Sequence, residues 1–364
     1  MPQPYDRVFN FSAGPSTLPV PVLEKAQAEM MNFRGTGMSL MEMSHRSAPF
    51  EEVLHNAEAD FRALLGIPDR YKVLFLQGGA STQFATIPMS YLPAGKKARY
   101  VITGSWGKKA LESAKILGDA EVVWDGKSGN YNDVPNDLAL DASDDVAYTH
   151  FTSNETIQGV RFSTDPNWGG PLVCDMSSDI LSRPVDISKY DLIYAGAQKN
   201  MGPAGVAIVV ISDEMLAKGP DGLPPMFDYR VHAENDSMYN TPATWGIYIC
   251  GLVYRHLLDT GGLEAAAERN DRKAKLLYDA IDGSNGFFKG HAVPSARSTM
   301  NVTFTLASDD LTKAFLKEAQ AKQLDGLKGH RSVGGCRASI YNAFPEEGCQ
   351  VLADLMRDFA SRNG

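Results

Sequence analysis

LIYAGAQKNMGPAGVAIVVIS, residues 192–212, is the stretch whose reading decides the fold. Its two ends are apolar throughout, as strands buried on both faces of a helix-covered sheet are. Between them a single amine, Lys199, stands among Gly196, Gly202, Pro203 and Gly205. Most lysines in turns are simply solvated. Here the glycines and proline restrict the turn, small neighbours leave room for a bound group, and the carboxyl end of a buried strand is where open α/β sheets bind ligands.

Working outward, the pattern predicts further strands in KVLFLQ, ARYVITG, AEVVWD, DVAYTHFT and GPLVCDMS, which with DLIYAGAQ and GVAIVVIS make seven. Helix-period segments separate several of them, the signature of parallel strands joined by crossover helices. The best helix is FEEVLHNAEADFRALLG, in which Phe50, Val53, Leu54, Ala57, Phe61, Leu64 and Leu65 form one stripe. Pro49 suits its first turn and Gly66 the position past its end, and the stripe is expected to cover the sheet. Helices are also expected from Trp245 to Leu257 and from Leu263 to Ile281. Beyond the Gly283–Gly286 break, STMNVTFTL, DDLTKAFLKEAQAKQL, CRASIY and EEGCQVLADLMRDFA read strand, helix, strand, helix. The expected fold class is thus α/β: a large domain, residues 16–262, with a mainly parallel seven-stranded sheet flanked by helices, and a small α/β domain, residues 263–364, with residues 1–15 packed against it. A cleft between domains is a default ligand site.

Composition removes several functions. The 364 residues are 43% hydrophobic and 22% charged, enough for one large core and a smaller second one. A net charge of −9 leaves no broad basic surface for nucleic acid or an anionic membrane, so cations for an anionic ligand must be gathered locally. The four cysteines, at 174, 250, 336 and 349, lack CxxC spacing and a histidine partner cluster, which argues against zinc or a disulfide framework. With no signal-peptide pattern or membrane-length apolar run, the expectation is a cytoplasmic protein without a metal.

An amine at such a rim either clamps a phosphate or forms a Schiff base with a carbonyl. Pyridoxal phosphate would further need a carboxylate for its ring nitrogen, donors for its phosphate and a flat surface against its ring. Asp175, directly after the strand PLVCD, is the carboxylate candidate, although a helix cap explains it nearly as well. In FLQGGASTQF, Gly78 and Gly79 follow a strand and Ser81 or Thr82 opens a helix, whose N–H groups accept a dianion. Trp106 in TGSWGKKA has no evident core to fill. Neither GSWGKK nor GTGMSL has the spacing of a nucleotide-binding loop.

Together, GTGMSLMEMSHRS, QGGAS, GSWGKKA, NETIQGV, CDMSSDILSRPVD, AGAQKNMGPAG, YNTPATW and GLKGHRSVGGCRASIYNA resemble the phosphoserine aminotransferase family, fold-type I pyridoxal-phosphate enzymes, in that family's order and over nearly the whole chain. The resemblance implies a homodimer that exchanges an amino group between 3-phosphoserine and 2-oxoglutarate in serine biosynthesis, and in many bacterial members also acts on 4-phosphohydroxythreonine in pyridoxine biosynthesis. It implies Lys199 as the Schiff-base lysine and proton shuttle, Asp175 at the pyridine nitrogen, Trp106 stacked on the ring and Thr156 at its phenolic oxygen. Gly79, Ala80 and Gln198 would bind the cofactor phosphate, with Asn240 and Thr241 reaching it from the other subunit.

The substrates carry two anionic groups, and guanidinium accepts either carboxylate or phosphate in a two-pronged hydrogen bond. His45 with Arg46, and His330, Arg331 and Arg337 in a glycine-rich stretch, are the local cations available; alone, His45 and Arg46 would read as a solvated loop. The resemblance gives Arg337 and Ser12 to the α-carboxylate, and Arg46, His45, His330 and Arg331 to the distal anion, the last two from the neighbouring subunit. The rivals are an aminotransferase for unphosphorylated serine or alanine, a cysteine desulfurase, and a non-catalytic anion-binding protein. The other histidines, His150 among them, are given no role.

Overall fold

The structure, a computed structural model, describes residues 3–364. Seven strands, β1 (Tyr71–Leu76), β2 (Lys97–Ile102), β3 (Asp119–Asp125), β4 (Val146–Thr152), β5 (Leu172–Asp175), β6 (Leu192–Gly196) and β7 (Ala207–Ser212), form one sheet in the order β1-β7-β6-β5-β4-β2-β3. Only β7 runs against its neighbours, β1 and β6. The seven expected strands are the seven observed ones. Among the helices are α1 (Ala48–Leu65), α2 (Gly79–Tyr91), α3 (Ser105–Leu117), α4 (Thr244–Asp259) and α5 (Gly262–Asp282).

Alternation along the strands sorts side chains between two faces. Val73, Phe75, Val101, Phe151, Cys174 and Ile193 share a core with α1 and α4. Leu74, Tyr100, Tyr148, Val173 and Tyr194 face the other way, against Phe84 and Ile87 of α2 and Ala110 and Leu111 of α3. The stripe of α1 is buried as expected, and Gly66 ends the helix in the left-handed conformation, φ 60°. Its main partner is α4 rather than the sheet itself. The reason is local: Gly251 of α4 lets Ala57 approach, a Cβ there lying 3.1 Å from that of Ala57, and Phe61 packs its ring 5.1 Å from Tyr254.

Past residue 283 come β8 (Asn301–Thr305), α6 (Asp309–Ala321), β9 (Cys336–Ser339) and α7 (Glu346–Asn363). A short strand, Lys289–Gly290, joins β8 and β9 in an antiparallel three-stranded sheet. Its core is aromatic, with Phe288, Phe304, Phe315 and Phe359 in edge-to-face contacts. Phe9 and Phe11 belong to this second core, and Phe9–Asn10 pairs in parallel with Leu324–Asp325. Helix α5 contributes Leu263 and Ala266 to the first core and Ala274, Leu277 and Ile281 to the second. Where it crosses, buried Lys273 donates to the carbonyls of Ile340, Tyr341 and Phe344. No helix among the described residues is long and apolar enough to cross a membrane, and no described cluster of acidic, histidine or cysteine side chains could hold a metal.

Candidate active site at the carboxyl edge of the sheet

The turns that leave the carboxyl ends of β1, β2, β4, β5 and β6 meet at one rim. Lys199, three residues past β6, is held from behind by the amino-terminal segment: Ser16 donates through its hydroxyl to the Lys199 carbonyl at 2.5 Å and through its amide to Gln198 at 3.0 Å. Gly14 passes so close that a Cβ there would lie 3.2 Å from Lys199 Cγ. The amine donates to Thr156 Oγ1 at 2.5 Å and lies 5.5 Å from the centre of the Trp106 ring. Burial lowers its pKa to about 8, against the opposing pull of Asp175 and Glu155.

Three buried carboxyls therefore act on this amine, Asp175 and Glu155 most strongly and Asp179, which is held by the Ser153 hydroxyl, least, and hydrogen bonding separates the roles of the first two. Glu155, which the sequence reading passed over, accepts from the Trp106 amide at 3.1 Å and the Gly107 amide at 2.8 Å. It closes the amino terminus of α3 from outside the helix, while Gln158 exchanges hydrogen bonds with Ser105 beside it. Burial nevertheless pushes its pKa up to about 7, outweighing those amides. Asp175, the last residue of β5, accepts the Ser177 amide on Oδ1 at 2.9 Å. Burial raises its pKa, opposed first by Lys199 and then by Ser177 and Tyr194. Asp175 is thus the carboxylate with an oxygen to offer, and Glu155 is committed to a helix.

The two glycine turns differ in the same way. Helix α2 begins after Gly78, in the left-handed region at φ 87°, with no side chain capping it, so the first amides at Gly79 and Ala80 are open to an external anion. A Cβ on Gly78 would fall 2.1 Å from Thr82 Oγ1, which excludes a side chain there. Asn240 donates to Gln77 Oε1 at 2.9 Å, so within one protomer the 240–241 loop lies beside this turn.

Arg337, on β9, is partly buried, and its Nε has no partner among the described residues; burial lowers its pKa. The pKa of His330 is lowered by burial and then by the charges of Arg337, Arg331 and Lys109. Lys109 also reaches over the Trp106 ring, 4.3 Å from its centre. It was missed because, read alone, it is an ordinary helix-surface lysine. Ser12 lies against Gly326, whose Cβ would come 2.7 Å from its hydroxyl. His45 and Arg46 are apart from the rest: Arg46 donates to its neighbour His45 at 3.4 Å, and no described hydrogen bond or ion pair joins either to Lys199, Asp175 or Arg337. A cavity of about 650 Å³ opens at the opposite edge of the sheet among Tyr91, Lys96, Val146 and Met215, away from these groups.

The whole length of the chain has known counterparts. Residues 8–352 match the aminotransferase class-V family. A phosphoserine aminotransferase of Geobacillus kaustophilus is 53% identical over 98% of this chain and 99% of its own length. The chloroplastic phosphoserine aminotransferase 2 of Arabidopsis thaliana is 51% identical over 98% of this chain and 85% of its own. A solved phosphoserine aminotransferase from Bacillus circulans subsp. alkalophilus superposes with a TM-score of 0.95 at 50% identity, covering 99% of this chain and all of that one. One from Trichomonas vaginalis, solved with pyridoxal phosphate bound, superposes with a TM-score of 0.91 at 39% identity, covering 96% of this chain. The chain belongs to the class-V aminotransferase family and, within it, to the phosphoserine aminotransferases.

Proposed function

We propose that this chain is a pyridoxal-phosphate-dependent phosphoserine aminotransferase, exchanging an amino group between 3-phosphoserine and 2-oxoglutarate in serine biosynthesis. The observation that carries the reading is the setting of Lys199: a buried amine of lowered pKa, hydrogen-bonded to Thr156 and flanked by an indole face and a carboxylate.

The residues present fit the cofactor. The buried Trp106 Nε1 and the open amides of α2 are donors without an internal partner. Gly79, Ala80 and Gln198 would hold the phosphate, joined by Asn240 and Thr241 of a second copy. Thr156 would hold the phenolic oxygen, Trp106 the ring face, and Asp175 the proton on the ring nitrogen. When bound, the cofactor supplies a carbonyl that amines condense with and a ring that accepts electrons from the bond being broken. Lys199 Nζ would carry the proton from the substrate α-carbon to the carbon that bears the cofactor's carbonyl, a task for which an amine near pKa 8 is well matched to neutral pH.

Arg337, with an unpaired buried Nε, suits the α-carboxylate, with Ser12 beside it. The distal anion, phosphate in one substrate and carboxylate in the other, falls to His45, Arg46, His330 and Arg331. The two pairs are not joined within one protomer, and a homodimer that takes one pair from each copy completes the pocket. Exposed Met38, Met41, Phe227 and Tyr239, near His45 and Asn240, support such an interface. The reading is of a cytosolic enzyme. A desulfurase is disfavoured, because all four cysteines are buried and burial raises every thiol pKa.

The test is the visible spectrum of the protein loaded with pyridoxal phosphate, before and after phosphoserine, serine, phosphohydroxythreonine or glutamate. Phosphoserine and glutamate should each bleach the coloured band, serine should not, and borohydride should fix the cofactor mass on the Lys199 peptide. A band that answers equally to serine, or a label elsewhere, refutes the reading.

A further inference from the structure

Behind Asp175 the sheet carries a line of polar groups that this chemistry does not use. The strand register sets Tyr194 beside Asp175 and Tyr100 beside His150, and alternation puts all four on the face covered by α2 and α3. His150 Nε2 lies 2.9 Å from the Tyr194 hydroxyl, and Tyr194 stands opposite Asp175 in the strand register, its hydroxyl drawing the Asp175 pKa down. His150, Tyr194 and Asp175 are all buried. The rings are clamped: Tyr100 stacks on His150 at 4.9 Å, and Phe84 sets its edge on Tyr194 at 6.1 Å.

Counting protons decides how the line is wired. Burial pushes the His150 pKa down to about 3 and raises that of Tyr194, so at neutral pH each carries one transferable proton. If Tyr194 donated to His150 Nε2, the imidazole proton would sit on Nδ1, which is buried with no partner among the described residues, and the phenol proton would be lost to Asp175. If His150 Nε2–H donates to the Tyr194 oxygen, the orphan is only an acceptor lone pair, and the phenol proton is left free for the neighbouring carboxylate. Orphaned buried N–H groups are the rarer and costlier defect.

We propose that His150 and Tyr194 are positioning residues for Asp175: the Nε2–H tautomer of His150 commits the Tyr194 proton to the Asp175 carboxylate and so keeps it anionic in a dry site. The proposal rests on the reading of Asp175 as partner of the cofactor's ring nitrogen. Donors to the ionised form favour that form, and a line of aligned hydrogen bonds strengthens each member.

Two measurements test it. In cofactor-free, histidine-¹⁵N-labelled protein, two-bond ¹H–¹⁵N correlations, with His150 assigned by its loss in His150→Gln, should report the Nε2–H tautomer; the Nδ1–H tautomer overturns the proposal whatever the protein catalyses. Equilibrium dialysis should find pyridoxal phosphate bound about 10-fold more weakly or worse by Tyr194→Phe and His150→Leu. His150→Gln, which retains an N–H donor, should stay within about threefold of wild type. Unchanged binding in Tyr194→Phe, or equal losses in the Gln and Leu variants, overturns it. Failure of wild type to bind the cofactor would instead sink the functional reading, while the tautomer measurement still judges the wiring.

Discussion

Gly104→Ala isolates how the rim is held together. Gly104 has φ 173°, extended backbone that any residue adopts, so the substitution acts through space alone. Its Cβ would fall 2.5 Å from Glu155 Cδ, 2.7 Å from Glu155 Cγ and 2.6 Å from Gln158 Oε1. Glu155 cannot move aside cheaply, since it is fully buried and tied to the Trp106 and Gly107 amides. Overpacking costs about 1–3 kcal/mol, and losing a hydrogen bond to a charged group about 1.5–3 kcal/mol. The smaller entropy of the unfolded alanine chain returns about 0.4–1 kcal/mol, leaving a net loss of about 2–5 kcal/mol. Urea unfolding of cofactor-free protein, at unchanged slope, measures it. Gly222→Ala is the control: its left-handed backbone, φ 85°, carries a penalty of about 1–2 kcal/mol, but nothing lies within 4 Å. In a Glu155→Ala background the cost of Gly104→Ala should shrink by at least about 1 kcal/mol. Strict additivity of the two substitutions, or a Gly104 variant no worse than the control, would refute the account of Glu155 as the group that fixes α3 and Trp106.

Other consequences are equally direct. Arg337→Ala should raise KM for phosphoserine and glutamate together by about 30-fold or more, whereas Lys109→Ala should raise it several-fold for phosphoserine at nearly constant kcat; steady-state kinetics separate them. Because the Lys199 pKa is lowered in the folded protein, folding is penalised below about pH 8, and the penalty fades as pH rises towards the unfolded lysine value. Cofactor-free Lys199→Met should therefore be more stable than wild type at pH 7, by at most about 3 kcal/mol, with the difference closing towards pH 10. Lys273, lowered to about 8 as well, is common to both proteins and cancels. Finally, a thiol reagent should find no fast-reacting cysteine in the native protein; one rapidly modified thiol would reopen the desulfurase reading.

The strands were legible because burial on both faces leaves unbroken apolar runs, and α1 because its stripe, its proline and its terminal glycine agree. Lys199, Asp175 and the Gly78 turn could be nominated because each follows such a run directly. Glu155 and His150 could not. The value of Glu155 lies in two amides some 50 residues earlier in the chain, and that of His150 in a phenol two strands away, separations that no local pattern encodes. Lys109 is legible only once helix α3 has turned it over the indole. The packing of α1 on α4 also escaped, since a stripe shows that a helix is covered and not by what.

The pairing of Phe9–Asn10 with Leu324–Asp325, and the grip of Ser16 on Lys199, impose an order on biosynthesis. The first of these residues leave the ribosome some 300 residues ahead of their partners, and at about 5–20 residues per second they wait roughly 15–60 s. Until then Phe9 and Phe11 have no core, and the segment through Ser16 that backs Lys199 is not pinned by its partner strand. A nascent chain is thus a finished sheet without a finished active site, and competence arrives late, when the segment near residue 10 is sewn to the strand near residue 324.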